Sequence, residues 1–301
     1  MTLHCAFIGF GKSTTRYHLP YVLHRKDRWQ VAHIYRRRAK PEEQAPQYSH
    51  IHFTSDLDEV LNDPLVKLVV VCTHADSHFE YAKKALEAGK NVLVEKPFTP
   101  TLEEAKTLFA LANSKGLTVT PYQNRRFDSC FLTTKKVIES GKLGELVEIE
   151  SHFDNYRPLA ETNPGGPQNG EFYGLGVHTL DQIISLFGRP DHVSYDLRSL
   201  RNKANPDDTF EAQLFYGDMK AIVKTSHLVQ IDYPKFIVHG HKGSFVKYGI
   251  DQQETSLKAN IMPGEPGFGA DDSVGELVYV NEAGEMVREA VPLESGDYGR
   301  V

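Results

Sequence analysis

The sequence predicts an α/β protein of two domains, a doubly wound parallel sheet over residues 1–121 and an α+β domain with a mainly antiparallel sheet over residues 122–301. Two observations lead to this fold class. As far as residue 120, apolar strand-like runs alternate with amphipathic helical patterns across short joints, which is typical of repeated β-α-β units. After Pro121 the strands change to a period of two, as expected for a sheet with one solvated face.

In the first domain the clearest strand is 65–73, because its run Leu68-Val69-Val70-Val71 is continuously apolar, as in a parallel strand buried on both faces. Thr101 and Glu104 have the spacing of a capping box and predict a helix start. The remaining elements follow from the same periodicities. The predicted strands start with the run from Leu3 and continue with 29–35, 51–54, 65–73, 91–94 and 117–120, and the predicted helices are 56–62, 77–89 and 101–116.

In the second domain, residues 146–153 alternate with a period of two, which predicts a strand, and the later strands are predicted from the same pattern. Pro, Gly and Asn are frequent in 157–170, so we expect a loop there, and 249–275 carries few structural signals. The predicted helices are 129–140 and 177–187, and the further strands are 193–198, 211–216, 221–226, 236–239 and 244–248.

Composition limits the classes of partner. The 301 residues carry a net charge of −6, which argues against a nucleic-acid or anionic-membrane partner. Three cysteines do not make a disulfide framework, and no stretch reaches the length of a membrane span or resembles a secretory signal. We therefore expect a cytoplasmic protein with reduced thiols.

The first strand runs into a glycine-rich turn and then into short polar residues. Gly9 would allow a tight turn, and Gly11 would let the backbone approach a pyrophosphate at a helix N-terminus. The third glycine of the usual dinucleotide pattern is replaced by Thr14, so a plain strand-to-helix turn is the alternative. The candidate cofactor-binding residues here are Gly9, Phe10, Gly11, Lys12, Ser13 and Thr14.

The second strand ends in Arg36-Arg37-Arg38, where enzymes that use NAD usually carry an acidic residue for the ribose hydroxyls. Guanidinium groups instead suit a 2′-phosphate. The sequence therefore predicts a preference for NADP(H), with Arg36 or Arg37 as the clamp and NAD(H) as the alternative cofactor. The competing interpretation is a solvated basic turn.

Glu95-Lys96-Pro97 directly follows a predicted strand, at the sheet edge where open α/β sheets bind ligands. A lysine there can donate to a substrate oxygen and relay a proton, although the spacing alone equally fits surface residues beside a turn. His74 and His78 have a helical metal-ligand spacing, but further ligands are missing, so no metal site is expected. We interpret both histidines as lining a cofactor cleft.

Several motifs, in order, resemble the Gfo/Idh/MocA family of oxidoreductases over residues 3 to about 190. They are Thr73 followed by His78, the run 85–90 (Ala-Leu-Glu-Ala-Gly-Lys), Glu95-Lys96-Pro97, Thr101 with 103–105, the run 123–128 and the run 174–181.

The resemblance implies an NAD(P)-binding Rossmann domain and a second domain that binds a small-molecule substrate and forms a homodimer through its sheet. It implies hydride transfer between the cofactor and a sugar, a polyol or a related hydroxy or carbonyl compound. Lys96 would relay a proton, with a cis peptide to Pro97, and His178 would complete the acid/base pair. By the same resemblance, Thr73, His74, His78, Glu95 and Lys96 would contact the cofactor, and Asn124, Arg126 and His178 the substrate.

The chain departs from the family at Gly174, where many members carry an aspartate four residues before the histidine. We expect Asp181, one turn after His178, to orient the imidazole instead. The change leaves two alternatives open, a catalytically silent nicotinamide-binding regulator and a nicotinamide-dependent glycoside hydrolase. Family members also usually continue past residue 301 with a helix that packs on the first domain.

Overall fold

The computed structural model describes residues 2–159 and 164–301. The chain forms two compact units, Met1–Tyr122 with Glu254–Phe268 (unit 1) and Gln123–Gln253 with Gly269–Val301 (unit 2). Unit 1 therefore includes a short segment that the sequence placed in the second domain. Within the described residues, no helix combines the length and the apolar composition that crossing a bilayer requires.

Unit 1 is built on a parallel sheet, and the described residues contribute six strands in the order β3-β2-β1-β4-β5-β6. The chain order reverses at β1 and β4, the arrangement of a doubly wound fold. This confirms the predicted parallel sheet. The strands are β1 (Leu3–Ile8), β2 (Trp29–Tyr35), β3 (His52–Thr54), β4 (Val66–Val71), β5 (Asn91–Val94) and β6 (Val119–Pro121).

Helices cover this sheet with apolar faces. Leu86 and Leu108 are fully buried in one core cluster with Val69 and Val71 of β4, and Val70 is buried on the other face in a second cluster, so both sides of that strand pack in the way its apolar run predicted. The capping box forms as predicted, since Thr101 Oγ1 accepts from the Glu104 amide at 3.3 Å. The helices that contribute to unit 1 are α1 (Leu19–His24), α2 (Leu57–Asn62), α3 (His78–Glu87), α4 (Leu102–Ser114) and α7 (Gln253–Lys258).

Unit 2 contains a second sheet, to which the described residues contribute eight strands in the order β14-β13-β12-β11-β7-β10-β9-β8. Every neighbouring pair is antiparallel except β7 and β10, which confirms a mainly antiparallel sheet. Its strands are β7 (Leu146–His152), β8 (His192–Arg198), β9 (Thr209–Tyr216), β10 (Met219–Ser226), β11 (Phe236–Gly240), β12 (Gly243–Lys247), β13 (Val274–Val280) and β14 (Met286–Pro292), and its helices are α5 (Ser129–Glu139) and α6 (Val177–Phe187).

Two parts of the second half differ from the sequence predictions. The hairpin of β13 and β14 was not predicted, because β14 has exposed charged and polar positions that weaken its strand pattern. The stretch 249–275, expected to lack structure, contains α7. The predicted loop 157–170 forms turns in its described parts, while its residues 160–163 lie outside the described residues.

Candidate active site

The glycine turn after β1 has the backbone that the sequence predicted. Gly9 has a φ of +108°, and a Cβ at this position would lie 2.5 Å from the carbonyl oxygen of Cys72, so no other residue fits without a shift. Around a Cβ added to Gly11 there is no atom within 4 Å among the described residues. Thr14, in the place of the third glycine, is buried and donates from Oγ1 to the Gly9 carbonyl at 2.8 Å. Thr14 therefore braces the turn from inside.

A cleft of about 790 Å³ opens at the carboxyl ends of β1, β2 and β4. Open space over Gly11 and basic residues along one wall fit a dinucleotide with its phosphates. The cleft is lined by Gly9, Phe10, Gly11, Lys12, Ser13, Tyr35, Arg36, Arg37, Arg38, Lys40, Cys72, Thr73, His74, Asp76, Ser77 and Tyr81.

The arginines of this wall differ in their surroundings. Arg36 is mostly buried, pairs with Glu43 at 3.2 Å and lies over the ring of Phe10 at 5.6 Å. Arg37 and Arg38 are exposed and make no ion pair with a described residue. The charge of Arg36 is therefore already balanced, whereas the charges of its two neighbours face solvent at the cleft.

Of the two histidines expected at the cleft, His74 lines it and His78 does not. His78 is 1% exposed, and its ring nitrogens lie 2.8 Å from the Pro97 carbonyl oxygen and 3.1 Å from that of Thr73. His78 thus connects the loop after β4 to the loop after β5 and holds the wall rather than facing the cavity. No group of three His, Cys, Asp or Glu side chains in the described residues is arranged to hold a metal ion.

Glu95 is a buried hub behind the cleft. One carboxylate oxygen accepts from Ser13 of the glycine turn and lies 2.9 Å from Nε2 of His18, and the other accepts from the Lys96 amide at 2.9 Å. Sequence reasoning missed His18, which lies in an irregular helical turn, Thr14–His18, and packs at a tilted angle against the ring of Tyr122, with the ring centroids 4.0 Å apart. Because Glu95 reaches both the glycine turn and Lys96, it fixes the two loops relative to one another.

Glu95 and His18 form a buried pair in which each residue shifts the pKa of the other. Burial raises the pKa of Glu95, but hydrogen bonding and attraction to His18 outweigh it and lower that pKa to about 2. Burial also opposes the charged form of His18, yet attraction and hydrogen bonding to Cys72 and Glu95 raise its pKa to about 10. The pair is therefore ionised at neutral pH.

Lys96 follows β5 and is half-buried, and the peptide that joins it to Pro97 is cis, as the resemblance implied. Lys96 belongs to unit 1, whereas His178 belongs to unit 2. Their action as an acid/base pair remains a prediction.

In unit 2, His178 is buried in the first turn of α6, and Asn124 is buried in a short turn before α5. Both carboxylate oxygens of Asp181, which we expected to orient His178, accept from Arg126, each at 2.7 Å. The hydrogen bonds to Asp181 raise the pKa of Arg126. Two residues that sequence reasoning had placed in separate roles thus form one ion pair.

A second carboxylate near His178 was also missed. Oε1 of Glu171 lies 3.3 Å from Nε2 of His227, and Oε2 lies 3.2 Å from the point where a Cβ on Gly174 would stand. A signal for this pairing is hard to find in sequence, because residues 171 and 227 are far apart in the chain.

With this geometry in place, comparison with known proteins identifies the family. The profile described as "Oxidoreductase family, NAD-binding Rossmann fold" matches residues 3–123, and the one described as "Oxidoreductase family, C-terminal alpha/beta domain" matches residues 135–301. The chain belongs to the Gfo/Idh/MocA family of oxidoreductases. The resemblance seen in its motifs is confirmed, and with it the nicotinamide-binding nature of the Rossmann domain.

Individual relatives span nearly the whole chain. The chain is 85% identical to the oxidoreductase YhhX of Escherichia coli over 301 residues, which is all of this chain and 87% of that protein. A crystal structure of an oxidoreductase from Bacillus cereus is 50% identical, with a TM-score of 0.96 over 99% of this chain and 86% of that one. The scyllo-inositol 2-dehydrogenase (NADP(+)) IolW of Bacillus subtilis is 34% identical over 302 residues, 99% of this chain and 83% of IolW.

Proposed function

We propose that the protein is an NADP(H)-preferring dehydrogenase or reductase that acts on a CH–OH group of a polyol, with cyclic polyols as the first class to test. The observation that carries the cofactor preference is the exposed pair Arg37 and Arg38 on the wall of the glycine-turn cleft, with no ion-pair partner among the described residues. Paired guanidinium groups suit a phosphate, and a carboxylate for ribose hydroxyls is missing from this stretch.

Arg37 is the principal clamp in this proposal, with Arg38 beside it. Arg36, the other residue that the sequence offered, already pairs with Glu43, so its charge is less available to a phosphate. We assign Arg36 to shaping the wall, where it lies over Phe10. Gly9, Gly11 and Ser13 hold the diphosphate side, and Thr73 and His74 border the cleft on the β4 side.

The substrate class rests on the likeness to IolW, whose name states that it acts on scyllo-inositol with NADP(+). The bound nicotinamide supplies the hydride acceptor for alcohol oxidation. Lys96 takes the hydroxyl proton, and His178 is the second member of the acid/base pair. Glu95 positions Lys96 through the bond to its amide, and Asn124 and Arg126 belong to the substrate side, with Asp181 fixing Arg126.

The experiment is NADP⁺-dependent oxidation of scyllo-inositol, followed by the absorbance of NADPH, in the wild type and in Lys96→Ala and His178→Ala. We expect turnover in the wild type and a loss of about 100-fold or more in kcat for Lys96→Ala. Loss of kcat with NADPH binding intact in both variants would support the roles. Turnover that survives His178→Ala would refute its assignment.

The same assay separates the alternatives that the sequence left open. A protein that binds NADPH tightly but oxidises none of a panel of sugars and polyols would be a regulator or sensor. Cofactor-dependent cleavage of nitrophenyl glycosides would indicate the glycoside hydrolase.

We also propose a homodimer through the open face of the unit 2 sheet. One register row crosses the four neighbouring strands β10, β7, β11 and β12 and consists of Ile222, Glu150, Ile237 and Val246, whose apolar members are only half-buried. Half-buried apolar side chains on a sheet face suit a homodimer interface, which is more apolar than the rest of a protein surface. Sedimentation of the wild type and of Ile237→Asp tests this, and a monomeric wild type would contradict it.

A further inference from the structure

Glu171 stands at the entrance of an irregular turn, Phe172–Gly176, that leads directly into α6 and His178. Its amide donates to the carbonyl of Asp207 at 2.9 Å, which anchors the backbone. The side chain is 23% exposed, so its carboxylate is held within the protein while part of it can still be reached from solvent.

His227 faces this carboxylate from the end of β10. Its side chain is only 6% exposed, and neither ring nitrogen makes a hydrogen bond with a described residue. The backbone on both sides is anchored, since its amide donates to Asp208 and its carbonyl accepts from Arg157 at 2.8 Å. A buried imidazole without hydrogen bonds is costly and calls for a reason. The group that faces Nε2 of this ring is the Glu171 carboxylate, whose Oε1 lies 3.3 Å away.

Gly174 makes room for the carboxylate. Its φ is not positive, so the backbone does not require glycine at this position. A Cβ there would lie 3.2 Å from Oε2 of Glu171, closer than ordinary van der Waals contact. A longer side chain at 174 would therefore compete with Glu171 for the same space, one turn before His178.

We propose that Glu171, backed by His227, is the hydroxyl-binding carboxylate of the substrate site in unit 2. The carboxylate accepts a hydrogen bond from a hydroxyl group of the polyol, and the buried His227 ring, 3.3 Å away, limits its movement on the other side. This inference rests on the proposed polyol dehydrogenase function and adds to it a specificity residue. It predicts that the site favours polyhydroxylated substrates over those with a single hydroxyl.

The test compares Glu171→Gln, His227→Gln and Gly174→Asp with the wild type. Glu282→Gln, an exposed change of the same kind on the β13–β14 turn, is the matched control. Steady-state oxidation of scyllo-inositol gives KM and kcat, and calorimetry gives the affinity of scyllo-inositol for the protein–NADPH complex and of NADPH for the free protein.

We expect Glu171→Gln to raise KM and weaken scyllo-inositol binding about tenfold, because a carboxylate accepts a hydroxyl hydrogen bond more strongly than an amide. Its kcat should fall less, and NADPH affinity should stay within about twofold of the wild type. Gly174→Asp should act in the same direction, and Glu171→Asp should recover part of the loss.

Different failures have different meanings. An active wild type with an unchanged KM in Glu171→Gln would overturn this inference and leave the proposed function standing. A wild type that binds NADPH but neither binds nor oxidises scyllo-inositol would overturn the proposed polyol function, and the inference with it.

Discussion

Arg126 and Asp181 form a two-point ion pair in unit 2. Nε and a terminal nitrogen of the guanidinium donate to different oxygens of the carboxylate, each at 2.7 Å. Asp181 is 15% exposed and Arg126 47% exposed in their side chains, so the pair lies at the border of the protein and solvent. The carboxylate that the sequence reserved for His178 thus fixes a cation on the expected substrate side.

A double-mutant cycle measures this pair. Arg126→Lys, Asp181→Asn and the double variant should show a coupling of about 1 kcal/mol in the free energy of unfolding in urea, since one partner is half exposed and solvent weakens the attraction. A parallel cycle between Asp181→Asn and His178→Gln should show less. Additive effects in the first cycle and coupling in the second would restore Asp181 as the residue that orients His178.

Gly9→Ala should lower the stability of the fold, whereas Gly11→Ala should weaken NADPH binding. At Gly9 a methyl group meets the Cys72 carbonyl and a positive φ, so the free energy of unfolding should drop by about 1–3 kcal/mol. At Gly11 the methyl group enters open space on the cleft side, so the fold should be unaffected while NADPH affinity falls about tenfold. Thermal unfolding and calorimetric NADPH titration check both. A Gly11→Ala protein that binds NADPH as well as the wild type would argue against the diphosphate position.

The His18–Glu95 pair should make stability depend on pH in both directions. The raised pKa of His18 gives stability that is complete below its ordinary value of 6.5 and is lost as the pH rises towards about 10. The lowered pKa of Glu95 gives stability that is present above 4.5 and is lost as the pH falls towards about 2.

Urea unfolding of the wild type and of His18→Gln over this pH range checks that dependence. The variant keeps a hydrogen-bonding side chain without the charge, so its stability should lose the decline between pH 6.5 and 10. The same decline in both proteins would show that His18 does not carry it.

Much of the fold could be predicted because it follows from local patterns. The apolar run of β4 and the alternation in β7 each reflect a burial pattern over neighbouring residues, and the capping box at Thr101 and Glu104 reflects hydrogen bonds over three residues. The hairpin of β13 and β14 was not predicted, because its strands are held by pairing within the sheet and do not show a clear apolar face in the sequence.

The position of the cleft could be predicted from residues that lie close together in the chain, since the glycine turn and the arginine run both line it, while the role of Lys96 stays a prediction. The pairs that join distant segments could not be predicted. Glu95 with His18, Glu171 with His227, and Arg126 with Asp181 are separated by many residues, and single-sequence spacing cannot match such partners. His78 shows the same limit, since we interpreted it as lining the cofactor cleft, whereas the fold buries it between two loops.

The most direct test of the account is a parallel titration of cofactor-stripped protein with NADPH and NADH, in the wild type and in Arg37→Ala, with Arg36→Ala beside it. We predict that the wild type prefers NADPH by about tenfold or more, and that Arg37→Ala loses this preference by weakening NADPH alone. Arg36→Ala should have the smaller effect, because Glu43 already balances its charge. Equal affinity of the wild type for both cofactors, or a preference that survives in Arg37→Ala, would contradict the account.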